Sequence, residues 1–275
     1  MKFVTLVENT TCDATLHCAH GLSLYIETPR HRLLFDMGPN AGFLDNAAAL
    51  GVDLTRVDAA ILSHGHYDHG GGLRAFLQRN GQADVFVQQE AFGEYYAVTP
   101  GEKPRYIGLS PDLWDQESRM VPTGDCLRLD EEITLFSDVA EVFSAGAAGN
   151  KLRERVGEDY LPDRFRHEQN LLLTAEGKTV LFAGCAHRGI VNILARAEAL
   201  LGRTVDVAVS GFHLFDLPEN DPAADALIDQ TGQALLRGDT IYYTGHCTGD
   251  YAYARLAPIL GQRLRRITTG GVIEI

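Results

Sequence analysis

The sequence is poor in positive charge. It carries 24 Lys and Arg against 37 Asp and Glu, a formal net charge of −13. Phosphate backbones are held by basic surface in excess, so this balance excludes nucleic acid as an expected partner. Cysteine is also scarce: the five residues Cys12, Cys18, Cys126, Cys185 and Cys247 are odd in number and widely spread, which is not a disulfide framework. Reduced thiols are expected. Long apolar runs are missing too. Nowhere do eighteen uncharged apolar residues follow one another, and Met1 to Glu8 meets an acidic residue before any run of signal-peptide length. A cytoplasmic protein without a membrane partner is the expectation. No internal sequence repeat is found.

What is present is ample apolar material. With 275 residues and 45% hydrophobic content, the chain can bury a large core as one extended domain or as two fused halves. Apolar runs of strand length alternate with amphipathic segments of helix length, which predicts a layered α/β fold. Strands are expected at 3–8, 22–27, 32–36, 59–63, 84–88, 170–175, 179–183, 205–210 and 240–244. Helices are expected at 42–50, 72–79, 190–201, 223–236 and 251–260. Two spans read as irregular loops or caps, near 98–125, where Pro100, Pro104, Pro111 and Pro122 interrupt any period, and 146–166, which is charged. Loops of this kind often select substrate. A single domain over residues 1–275, folded as a two-halved αββα sandwich, is the simplest arrangement; a doubly wound sheet has the same periodicity.

The chemistry concentrates in one place. A predicted strand, Ala59-Ala60-Ile61-Leu62, runs through Ser63 into His64-Gly65-His66-Tyr67-Asp68-His69 and three glycines, Gly70 to Gly72. Four potential ligands in six residues at a strand end form an anchored loop from which imidazoles and a carboxylate converge. Imidazole suits zinc, iron or nickel, and the added carboxylate favours zinc, iron or manganese. The glycines let the backbone turn tightly and the next helix start close by. The alternative, a set of solvated surface histidines, does not account for this density.

The pattern H-x-H-x-D-H after a strand resembles the signature of the metallo-β-lactamase superfamily. That resemblance implies an αββα sandwich with a dinuclear site, in which His64 and His66 serve one metal and Asp68 and His69 the other. Leu33-Leu34-Phe35-Asp36-Met37-Gly38 is similar to the strand whose aspartate supports the histidine loop. His20-Gly21-Leu22-Ser23, Gly184-Cys185-Ala186-His187-Arg188-Gly189, Gly211-Phe212-His213-Leu214 and Thr244-Gly245-His246-Cys247-Thr248-Gly249 resemble the group that includes the dihydropterin-methyl-ribofuranosylaminobenzene 5′-phosphate synthases. His187 and His246 each follow an apolar strand, as His64 does, and sites in open α/β sheets lie beyond strand carboxyl ends. With the resemblance, this makes His187 the expected third ligand of the first metal and His246 of the second.

One departure stands out. Many superfamily members place a metal-bridging aspartate where this chain has Cys185. A thiolate there can bridge or bind softly, favouring zinc, or stand off and leave the second metal less tightly held. His213 and His20 are expected substrate contacts, with a purely structural role as the alternative. Arg188, at the start of a predicted helix, can meet an anion together with backbone N–H groups, or be an ordinary surface arginine. His17, His31 and His167 are read as background, Cys12, Cys18 and Cys126 as buried thiols or loop residues, and Cys247 as packing behind His246.

A bound metal can lower the pKa of its water to about 7, and two ions roughly 3.5–4 Å apart can hold nucleophile and leaving oxygen together. The first expectation is therefore a metallo-hydrolase, with one or two divalent ions, acting on a small anionic or phosphorylated molecule. Asp68 would be catalytic by orienting the attacking water. The second is a pterin-pathway synthase, a transferase condensing a ribofuranosylaminobenzene phosphate with a pterin pyrophosphate. The third is a non-catalytic metal- or ligand-binding protein. No flavodoxin-like half accompanies the motif, which argues against flavo-diiron redox chemistry.

Overall fold

Strands built from near-continuous Val, Ile, Leu and Phe pair side by side here, as expected of parallel strands covered on both faces. The computed structural model describes residues 1–11, 13–111, 113, 118–144 and 151–275; Cys12 and parts of both spans expected to be irregular lie outside the described residues. The chain divides into two compact units. The first comprises Met1–Asp125, Asn150–Gln169 and Thr268–Ile275, and the second Cys126–Gly149 and Asn170–Ile267.

In the first unit, strands β1 (Lys2–Val7), β2 (Ser23–Glu27), β3 (Arg32–Phe35), β4 (Ala59–Leu62), β5 (Asp84–Gln88), β8 (Met120–Thr123) and β18 (Val272–Glu274) form one sheet. Its order is β18-β1-β2-β3-β4-β5-β8. The strands from β3 to β8 run parallel, so their carboxyl ends lie along one edge. Helices α1 (Gly42–Ala49) and α3 (Leu73–Arg79) bury Phe43, Ala47, Leu73 and Phe76 in a core with Val4, Leu34, Leu62 and Val85. A short helix, α2 (Tyr67–Gly70), continues directly from the loop after β4.

The spans expected to be irregular carry strands. β7 (Arg105–Tyr106) and β8 lie within 98–125, and β11 (Leu152–Val156) and β12 (Asp159–Pro162) lie within 146–166. Pro122 is no obstacle because β8 is the edge strand of its sheet, where a residue without an N–H leaves no ladder bond unmade. β12, β11, β6 (Tyr95–Ala97) and β7 form a separate four-stranded sheet.

In the second unit the order is β17-β16-β15-β14-β13-β10-β9, with β9 (Cys126–Arg128), β10 (Ile133–Phe136), β13 (Asn170–Ala175), β14 (Lys178–Phe182), β15 (Val207–Val209), β16 (Ile241–Thr244) and β17 (Leu264–Arg266). β14 to β17 are parallel. Helices α4 (Ile190–Leu201), α5 (Pro222–Leu235) and α6 (Asp250–Leu260) contribute Ile193, Ile228 and Leu256 to the core. The starts and stops follow local chemistry. Asp221 accepts the N–H groups of Ala223 and Ala224 ahead of Pro222, and Gly202 ends α4 in the left-handed region at φ 70°.

Candidate metal centre

In the first unit the histidine loop springs from the carboxyl end of β4, and its geometry is set by Asp36 at the end of β3. Asp36 occupies the left-handed region at φ 61°, an unfavourable conformation for a residue with a side chain that clusters at functional sites. Its Oδ1 accepts the Ser63 N–H at 2.7 Å. Its Oδ2 accepts the Ser63 hydroxyl at 2.7 Å and Nδ1–H of His69 at 2.6 Å. Because the Ser63 proton is committed to the carboxylate, Ser63 Oγ accepts from Nδ1–H of His64, 2.8 Å away. One carboxylate thereby fixes two imidazoles in the tautomer whose Nε2 carries the lone pair a metal needs.

Gly65 is required by a close approach. A Cβ there would lie 2.1 Å from the carbonyl oxygen of Ala91, and one at Gly71 would lie 2.1 Å from that of Pro39. The glycines are thus needed less for a tight turn than for backbone contact on both sides of the loop.

His64, His66 and Asp68 are buried, and their ligand atoms lie within 4.8 Å of one another. Burial foremost, reinforced by neighbouring His167, lowers the pKa of His66 to about 3, so the ring is neutral and able to act as a ligand. Asp68 Oδ2 lies 3.6 Å from His69 Nε2 and 3.5 Å from His20 Nε2. His20, 45% exposed at its side chain, also meets Asn9 through Nδ1. This donor set of neutral imidazoles with a carboxylate fits a divalent ion of the zinc, iron or manganese kind.

Three residues that the sequence did not single out belong to this arrangement. His167, read as background, is buried; its Nδ1 accepts the Gly65 N–H at 3.1 Å and its Nε2–H donates to Asp163 at 3.1 Å. Burial acts to raise the Asp163 pKa, but the His167 bond and charge and the Phe165 N–H outweigh it and hold the carboxyl below its ordinary value. Tyr95 lies tilted against His167, with ring centroids 3.9 Å apart. Burial first, then the negative charge of Asp163, push its hydroxyl above the usual phenol range. The only sequence signal was the Asp163–His167 spacing of four. Gln169 likewise went unseen. Fully buried, it donates to the carbonyls of Leu62 and Phe86 and accepts from Thr123 Oγ1, tying the ends of β4, β5 and β8.

In the second unit Cys185, His187, His213, His246 and Cys247 are all buried beyond the carboxyl ends of β14, β15 and β16. Cys185 Sγ lies 3.3 Å from His246 Nε2, and the rings of His187 and His213 meet edge-on at 4.3 Å. Ala186, His213 and His246 all have positive φ, at 55°, 47° and 48°. Cys247, read from the sequence as packing behind His246, is buried with its Sγ 3.5 Å from the Cys185 carbonyl oxygen. Burial works against its thiolate, yet the Cys185 hydrogen bond and the His246 and His213 charges together hold the thiol well below its ordinary value. Arg188 turns its guanidinium to the Val139 carbonyl. Cys18 and Cys126 are exposed and unpaired by disulfide. No helix among the described residues is long and apolar enough to cross a membrane.

A strand-end loop of candidate ligands, backed by a buried aspartate, thus stands on an α/β scaffold. Residues 18–135 match the family profile described as the metallo-beta-lactamase superfamily. Two proteins of Methanocaldococcus jannaschii are similar over nearly their whole length. One, a 7,8-dihydropterin-6-methyl-4-(beta-D-ribofuranosyl)-aminobenzene-5′-phosphate synthase, is 27% identical over 100% of this chain and 96% of its own. The other, uncharacterized, is 26% identical over 92% and 93%. Among solved structures, a metal-dependent hydrolase of the beta-lactamase superfamily shares the fold with a TM-score of 0.81 at 24% identity, covering 100% of this chain and 99% of that one.

Proposed function

We propose that this protein is a metal-dependent hydrolase acting on a small, anionic, phosphorylated substrate. Its divalent ions, zinc foremost with iron or manganese as alternatives, are held by His64, His66, Asp68 and His69 of the first unit; Cys185, His187 and His246, the other ligands expected from the sequence, belong to the second unit. The observation that carries this reading is the Asp36–Ser63 pair, which presents Nε2 of both His64 and His69 as ligand atoms. When bound, a divalent ion supplies Lewis acidity that brings water within reach of deprotonation near neutral pH.

The chain's own residues divide the remaining work. Asp68, whose carboxylate faces His20 and His69, orients the attacking water and accepts its hydrogen bond. His20, Arg188 and His213 contact the substrate, with His20 the exposed member. Phosphodiesterase turnover that is abolished by chelation and restored by one added metal is the expected result. His66→Ala is expected to lower metal content in elemental analysis; unchanged content would overturn the ligand assignment.

A second reading is favoured by the full-length similarity to the synthase. In it the same residues serve a transferase that joins a ribofuranosylaminobenzene phosphate to a pterin pyrophosphate with release of pyrophosphate. Turnover that requires the pterin pyrophosphate and yields no phosphodiester hydrolysis would select it. Metal binding with neither activity would select the non-catalytic alternative.

A further inference from the structure

Three neighbouring parallel strands of the second unit end in register. Phe182 of β14 pairs with Val209 of β15, and Val209 with Tyr243 of β16. Counting on from that row, Cys185 lies three residues beyond Phe182, His213 four beyond Val209, and Cys247 four beyond Tyr243. Adjacent strands thus deliver two thiols and an imidazole to one level. All three are buried, at 3%, 6% and 1% exposure, and their ligand atoms lie within 4.8 Å of one another.

The backbone is shaped for this convergence. His213 turns through the left-handed region, and a Cβ on Gly211 would lie 2.3 Å from Cys247 Sγ, so only glycine leaves room for that sulfur. The Leu214 and Phe215 N–H groups bond the Cys247 carbonyl at 2.9 and 3.0 Å, locking the two loops together. Tetrahedral zinc with Zn–S near about 2.3 Å sets sulfur–sulfur separations near about 3.8 Å.

We propose that Cys185, His213 and Cys247 form a binding site for a thiophilic d10 ion, zinc in the first instance, that clips the ends of β14, β15 and β16. Thiolate and imidazole donors without a carboxylate select zinc or copper(I) over magnesium, manganese or calcium. The site's donor set differs from the metal ligands assigned above, and it makes His213 a ligand where the proposed function has it as a substrate contact. Cys185 is the shared residue, so Cys247 and His213 are the diagnostic ones. The imidazole donor separates this site from a simple dithiol.

X-ray absorption on the zinc-loaded, intact protein is expected to show an ion with two sulfur ligands. Sulfur scattering left unchanged by Cys247→Ser would overturn the proposal, because Cys185 alone would then account for it. Cadmium-loaded protein is expected to show thiolate-to-metal charge-transfer absorbance in the ultraviolet that Cys247→Ser and His213→Ala each reduce and His66→Ala leaves in place. A band unchanged by Cys247→Ser, or one lost with His66→Ala, would count against it. An intact mass lower by two hydrogens before metal addition, reversed by reductant, would identify a disulfide instead. Failure of the His66 ligand assignment would appear as unchanged metal content in His66→Ala and would leave the two-sulfur signature untouched.

Discussion

Asp36 Oδ2 lies 2.6 Å from Nδ1 of His69, and neither side chain has any solvent exposure. The same oxygen takes the Ser63 proton, so one atom sets the proton positions on two histidines. Asp36→Asn keeps the shape but replaces an acceptor with a donor. Turned toward Ser63 and His69, the amide would drive protons onto Nε2 of His69 and, through Ser63, of His64. Metal affinity is expected to fall about 10–100-fold, read by titration against a chelator of known strength. Asp36→Ala is expected to cost about 3–5 kcal/mol of stability as well, because buried partners lose their acceptor. Equal metal affinity in Asp36→Asn and wild type would refute the tautomer argument.

Gly65→Ala tests the close approach to the Ala91 carbonyl, 2.1 Å from where the new Cβ must go. The obstacle is backbone, which cannot rotate aside, so the loop has to move as a unit. A loss of about 1–3 kcal/mol is expected, together with weakened metal binding, measured by urea unfolding and metal titration. Gly81→Ala is the control. Nothing lies within 4 Å of its Cβ, and it should be neutral or slightly stabilising.

The contrast between these residues and others shows what a sequence can reveal. His64, His66, Asp68 and His69 were legible because ligand chemistry is packed into six consecutive residues at a strand end. The long elements were legible for a similar reason: α4 over Ile190–Leu201 and β13 over Asn170–Ala175 have periodicity and bounds written locally. β8 and β11 were not, since prolines or charges mask them and their identity comes from partners far along the chain. His167 and Gln169 act at residues more than a hundred positions away in sequence, Gly65 and Leu62, and nothing in their neighbourhood announces that. The register that aligns Cys185, His213 and Cys247 is likewise a property of three paired strands, not of any one segment.

His66 gives a pH signature in the metal-free protein. Its folded pKa is depressed from 6.5 to about 3 by burial first and by His167 next. The unfolded chain therefore binds one more proton than the folded one between those values, and stability contributed by the neutral ring is present above pH 6.5 and lost as pH falls toward 3. Replacing His66 with Asn is expected to flatten the dependence of unfolding free energy on pH in that window by up to about 1.4 kcal/mol per pH unit. Denaturant titrations of chelator-treated protein at several pH values would measure it. Identical slopes for the two proteins would show that His66 titrates normally.

Gln169 offers the most direct test of how the strand ends are held. Its amide donates to Leu62 and Phe86 carbonyls at 2.7 and 2.9 Å and its carbonyl accepts from Thr123 at 2.7 Å, with no exposure to water. Gln169→Leu fills the space but abandons all three partners, and each buried group left unpaired costs about 1–3 kcal/mol, so a loss of about 3 kcal/mol or more is expected in urea unfolding. Gln169→Glu is the sharper variant because it is nearly isosteric and reverses only the donor end. At neutral pH it would set a carboxylate against two carbonyl oxygens, which raises its folded pKa above the unfolded value. Protonation relieves that repulsion and restores one donor, so the deficit relative to wild type should be largest at neutral pH and shrink as pH falls through the folded pKa. A deficit that stays constant from pH 7 to pH 5 would mean the amide donor end is not what holds β4 and β5 together.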